Sequence, residues 1–196
     1  MRPPPDQNPA PAECTRCDEL RDEERRAEAA LDTSRATDCR VLLRRHPHPR
    51  EILDRIGEAH PALTPDPGVG LWEREVRLLQ RDSVRVRSLA ERILGQGIAY
   101  LVTAMEKPGN DMGPGFEVDQ GVHQVILDTP VYFALCAAYN GGRYKHHAPL
   151  IQRRRDGIVL RTADLIAANG FAVDWELWEV DASDCGPCDD KVPDSH

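Results

Sequence analysis

The chain predicts an all-α fold, with one long scaffold helix and a charged helical extension ahead of it. Three observations point there. From Leu71 to Met105, apolar residues recur near the 3.6-residue period of a helix with one buried face. Between Cys17 and Arg45, glutamates and arginines stand three or four apart, the spacing at which they meet on a helix surface. Only one segment, through Phe171, Val173, Trp175 and Leu177, alternates like a strand, and no second strong strand exists to pair with it.

The elements follow in order. Residues 1–13, MRPPPDQNPAPAE, are proline-rich without apolar anchors and read as a disordered lead-in. A helix is expected from Cys17 to about Arg45, with a thin apolar stripe of Leu20, Ala27, Leu31 and Val41 to Leu43. Such a helix is either solvated or leans on the main domain or a partner copy. HPHP at 46–49 breaks it, because each proline disfavours helix at the preceding residue. REILDRIGEA forms a short helix, and HPALTPDPGVG, with Pro61, Pro65, Pro67 and Gly68, marks a domain boundary. Residues 14–63 therefore read as the charged extension, 70–182 as the main helical domain and 183–196 as an acidic tail. The scaffold helix carries Leu71, Leu78, Val86, Leu89, Ile93, Ile98, Leu101 and Met105 and is expected to bend at Gly95 and Gly97. EVDQGVHQVIL forms the next helix, DTP restarts the chain, and PVYFALCAAYN runs to Gly141–Gly142. A further helix is expected to start at Thr162 and to end at Asn169–Gly170.

At 196 residues there is room for one ordinary domain with tails or an extension. A formal net charge of −8 repels phosphate backbones and anionic lipid, which argues against nucleic acid and membrane as partners. Arg153, Arg154 and Arg155 form the one local basic run and read as a solvated turn. No signal-type or membrane-spanning apolar run is present, so a cytoplasmic location is expected. In that reducing setting the six cysteines read as thiols or metal ligands.

The chemistry-bearing residues concentrate after residue 118. Asp119 and His123, four apart, share a helix face. Cys136 comes late on the next helix, and a glycine turn then returns the chain with His146 and His147. Imidazole, thiolate and carboxylate are ligands that zinc or iron takes. The set reads as His123, Cys136 and one of His146 or His147 holding a metal, with Asp119 as fourth ligand or as support behind a histidine. A histidine bonded to Asp119 in an ordinary core, with Cys136 a small hydrophobe, is the structural alternative. Cys14-x-x-Cys17 and Cys185-x-x-Cys188 form a second candidate, as two halves of a four-cysteine zinc site if the termini meet. CGPC in its acidic surroundings is a poor redox dithiol.

The segment VDQGVHQVILDTPVYFALCAAYNGGRYKHHAP also resembles the signature of the glycine-rich domain-containing-protein-like family. Asp119, His123, Ile126, Leu127, Thr129, Tyr132, Cys136, His146 and His147 match it, whereas Val122 stands where that family has Trp and Leu135 where it has Phe. The resemblance covers about thirty residues and implies a helical domain with a shared polar site, without an established reaction to transfer. Two functions follow from the sequence. One is a helical interaction or regulatory module with a protein partner or self-association. The other is a metal-binding protein or metalloenzyme with zinc or iron at the His/Cys/His set.

Overall fold

A computed structural model describes residues 15–66, 68–83, 86–147 and 156–183. The lead-in, Cys14, Arg153 to Arg155, Cys185, Cys188 and the acidic tail lie outside the described residues. Among those described, all regular structure is helical, and no helix is long and apolar enough to cross a membrane. The all-α expectation holds. Phe171 to Leu177 is no strand. Asp174 accepts hydrogen bonds from the Leu177 amide through its carbonyl and carboxylate, and the helix Trp175–Ser183 starts there.

The chain divides into two compact units, one ending at His46 and the other starting at Pro47. The first is a pair of helices, α1 Thr15–Ala29 and α2 Thr33–Arg45, in place of the single helix expected there. The reason is a Schellman turn. The Asp32 amide donates to the Ala27 carbonyl (2.9 Å) and the Leu31 amide to the Glu28 carbonyl (3.0 Å), with Leu31 left-handed at φ 58°. Asp32 then caps α2 by accepting from the Arg35 amide at 2.9 Å. Leu31, expected on the apolar stripe, is thus an exposed turn residue. The buried residues are Cys17, Leu20 and Ala27 on α1 and Ala36 and Cys39 on α2. Arg35 reaches Glu23, and Arg40 reaches Glu24 and Glu28, across the pair.

The second unit comprises α3 Pro49–Ala59, a short 3-10 turn Pro61–Leu63, α4 Leu71–Ser83, α5 Arg87–Glu106, α6 Phe116–Leu127, α7 Thr129–Tyr139, α8 Ile158–Ala168 and α9 Trp175–Ser183. Packing places the division before α3, ahead of the proline-rich segment where the sequence suggests it. Ile52, Leu53 and Ile56 of α3 are buried in the same core as α4 and α5, so α3 cannot be separated from it.

The scaffold is α5. From Gln96 to Met105 every residue is buried, as in a helix surrounded by partners, and α3, α4, α6, α7 and α8 all pack on it. The helix expected over 71–106 is two helices, and Gly95 and Gly97 lie inside an unbroken α5. The break comes earlier. The Ser83 hydroxyl donates back to the Leu79 carbonyl at 2.6 Å, and Val86 is extended at ψ 148°. Backbone-bonding and β-branched side chains both weaken a helix there. The unbroken apolar period arises because both helices face one core.

Gly97 and Gly121 bring α5 and α6 together. A Cβ on Gly97 would lie 2.7 Å from the Gly121 carbonyl carbon, and one on Gly121 would lie 2.4 Å from the Ile93 oxygen. Only glycine admits this approach. Helix α8 begins at Ile158, four residues before the expected Thr162. The Asp156 carboxylate accepts from the Ile158 amide (3.1 Å). Thr162 is buried within α8, donates to the Ile158 carbonyl and accepts from the Gly113 amide. Asn169–Gly170 ends α8 as expected, with Gly170 at φ 94°.

Candidate metal centre

The site grows from α6. A four-residue separation places Asp119 and His123 one turn apart on the same face. Gly121, between them in sequence, lies on the opposite side of α6 and is held against Ile93, so the crossing with α5 sets the rotation of the helix and with it where both side chains stand. His123 Nδ1 lies 3.0 Å from the Asp119 carbonyl and 3.4 Å from its Oδ2.

The third member comes from the segment after α7. Gly141 and Gly142 are left-handed (φ 59° and 76°), and the Gly142 amide donates to the Cys136 carbonyl at 3.1 Å. Two aromatic contacts then hold the returning chain against α7. The Tyr132 hydroxyl donates to the Lys145 carbonyl, and Tyr144 stacks on Tyr132 (ring centroids 6.0 Å) and meets Phe133 edge-on (5.7 Å). His147, two residues beyond Lys145, is thereby delivered to α6. Its Nε2 lies 3.2 Å from Asp119 Oδ1, and its ring stands 5.0 Å from that of His123 at 83°.

One ligand atom from each of Asp119, His123 and His147 can be chosen so that all three lie within 4.8 Å of one another. The structure therefore brings together three of the five residues singled out in the sequence. Cys136 and His146 are not in the group. Cys136 is fully buried on α7, where its thiol lies beside the Tyr132 hydroxyl. His146 is exposed, because consecutive residues of an extended segment point to opposite sides. Cys17 is buried in the first unit, while Cys14, Cys185 and Cys188 fall outside the described residues.

The sequence reading missed Tyr100 of α5. Its phenol is 7% exposed and pushed up to about 12, chiefly by burial and then by the Asp119 and Asp111 carboxylates. A phenol within the otherwise largely apolar run GIAYLVTAM was the available signal. Tyr132 is likewise pushed above the usual phenol range, first by burial and then by the Cys136 thiol. Both phenols stay protonated at neutral pH and can act only as hydrogen-bond partners.

Asp119 Oδ1 and His147 Nε2 are both buried, and neither makes a hydrogen bond despite their 3.2 Å separation. A carboxylate oxygen carries only lone pairs, as does the unprotonated nitrogen of an imidazole. Two such atoms face each other at low cost only with something positive between them, either the Nε2–H hydrogen of that imidazole tautomer or a metal ion.

No family model matches the chain, and neither the curated proteins nor the solved structures contain a match.

Proposed function

We propose that the protein binds one divalent transition metal, zinc or iron(II), through Asp119, His123 and His147. The observation that carries this is the buried Asp119 Oδ1 and His147 Nε2 pair, left without hydrogen bonds inside a group of three metal-type ligands. Each unpaired buried polar atom costs about 1 to 3 kcal/mol, and ligation removes both costs together. The histidine chemistry agrees. With its Nδ1–H donated to the Asp119 carbonyl, His123 presents Nε2 as a lone pair, the arrangement that fixes the tautomer of a metal-bound histidine. Two imidazoles and one carboxylate suit either metal. The His123 side chain is 41% exposed, so coordination positions remain for water or an outside molecule. A metal held there would polarise a bound oxygen and lower the pKa of bound water. The three ligands are also matched positions of the resemblance to the glycine-rich domain-containing-protein-like family, which supports a shared polar site.

Elemental analysis of untagged protein, before and after chelation and reloading with zinc or anaerobic iron(II), tests the reading. The wild type should hold one equivalent at this site, and His147→Ala and Asp119→Asn should each abolish it. Chelator should lower the unfolding midpoint of the wild type and leave that of His147→Ala where it was, since metal bound only to the native state stabilises by mass action. Equal metal content in wild type and His147→Ala would leave His147 as a hydrogen-bond partner of Asp119, and the helical interaction or regulatory module as the better reading.

A further inference from the structure

We infer that the groove between α3 and α7 binds an amphipathic monocarboxylate, its head on Arg55 and its chain along the apolar walls. The two helices pack against each other within the second unit. Ile52 and Ile56, one turn apart on α3, line one side of the groove, and Ala134, Ala137 and Ala138 of α7 line the other. The space between them is about 400 Å³ and opens to solvent, within the size range of small-molecule sites. At about 30 Å³ for each water-sized group it holds about a dozen heavy atoms, the size of a ten-carbon carboxylate.

The polar groups at the groove select the head. Arg55, His60 and Tyr139 also line it, and among the described residues no carboxylate does. Arg55 Nε donates to the Glu51 carbonyl at 3.2 Å, and its two terminal nitrogens have no partner among the described residues. The arginines of α4 and α5, by contrast, are all paired with carboxylates. The Tyr139 hydroxyl and the His60 ring likewise make no hydrogen bond among the described residues. Burial pushes the Tyr139 phenol up, Arg55 opposes that and Glu106 adds to it, so the hydroxyl stays a donor at neutral pH. Glu106 does not line the groove and is held by Asn169 Nδ2 at 2.7 Å. An unpaired guanidinium beside two further donors matches one negative charge, and its planar fork meets a carboxylate with two parallel hydrogen bonds. A dianionic phosphate would bring charge that Arg55 does not neutralise to a chain already at −8.

Calorimetric titration of decanoate, below its micellar concentration, into the full-length chain tests this. Wild type and His147→Ala should bind one equivalent with equal affinity, because no ligand of the α6 centre lines the groove. Affinity should rise about two- to fourfold per methylene from hexanoate to decanoate. Decanol, decylamine and decyl phosphate should each bind at least about tenfold more weakly than decanoate, and exposed Arg55 changed to Gln should cost decanoate a similar factor. Ala138→Leu puts a good helix former into the groove and should abolish binding with helix content unchanged. Absence of decanoate binding in the wild type overturns the inference without any variant. Equal affinity for decanol or decyl phosphate overturns it too, as does unchanged affinity in Arg55→Gln or in a folded Ala138→Leu. Uptake of several equivalents, the mark of non-specific detergent-like binding, would also refute it. The α6 site is read separately, from the metal equivalent lost in His147→Ala, so either site can fail alone.

Discussion

Alanine at Gly121 tests the crossing on which the candidate centre rests. The added Cβ would meet the Ile93 carbonyl oxygen at 2.4 Å and its carbon at 3.0 Å, whereas ordinary contact starts at 3.4 Å. About 1 Å of relief is needed, and it must come from backbone on both sides, since no flexible side-chain end is involved. Overpacking of this kind costs about 1 to 3 kcal/mol, and a rigid backbone contact belongs at the upper end. The better helix propensity of alanine returns about 1 kcal/mol, leaving a net loss of about 2 kcal/mol. Gly95→Ala on α5 supplies the contrast, because its Cβ meets only Trp72 at 3.8 Å. That variant should be more stable than wild type by up to about 1 kcal/mol. Denaturant unfolding of the metal-free protein measures both. Since Gly121 lies between Asp119 and His123, Gly121→Ala should also weaken metal binding at the α6 site. A Gly121→Ala chain as stable as wild type would refute the close-crossing argument.

Three other outcomes are expected. The Glu73 carboxyl is held at about 2 by hydrogen bonds from Arg87 and Arg77, against an ordinary 4.5, so its contribution is complete above about pH 4.5 and disappears as pH falls toward 2. The stability difference between wild type and Glu73→Gln should therefore shrink across that window in denaturant titrations, and a constant difference would contradict it. Trp178→Phe leaves the buried Gln96 Oε1 without its 2.8 Å donor and should cost about 1 to 3 kcal/mol in the same assay, while a change under about 0.5 kcal/mol would mean that the bond contributes nothing net. Leu31→Gly relieves a left-handed leucine that is 87% exposed and should stabilise the α1–α2 hairpin by up to about 1 kcal/mol, read as slower amide exchange in α1 and α2; faster exchange would refute it.

The amino-acid sequence alone determined the helical character of this protein and the helix carrying its candidate centre, because both are set by spacing within a few residues. The apolar period before Met105, the four-residue step from Asp119 to His123 and the Asn169–Gly170 stop are local, and local patterns survive into the fold. Where one element ended and the next began was less legible. A periodic stripe looks the same on one helix or on two that face a common core, so the breaks before α2 and before α5 needed the Leu31 turn and the Ser83 back-bond to be seen. The membership of the site was a tertiary decision. Sequence spacing took Cys136 as a ligand and left His146 and His147 as alternatives, yet only the turn at Gly141–Gly142 and the Tyr132 and Tyr144 clamp decide which of them reaches α6. A metal centre draws on residues remote in sequence and adjacent in space, and chain geometry beyond the range of any local period brings them together.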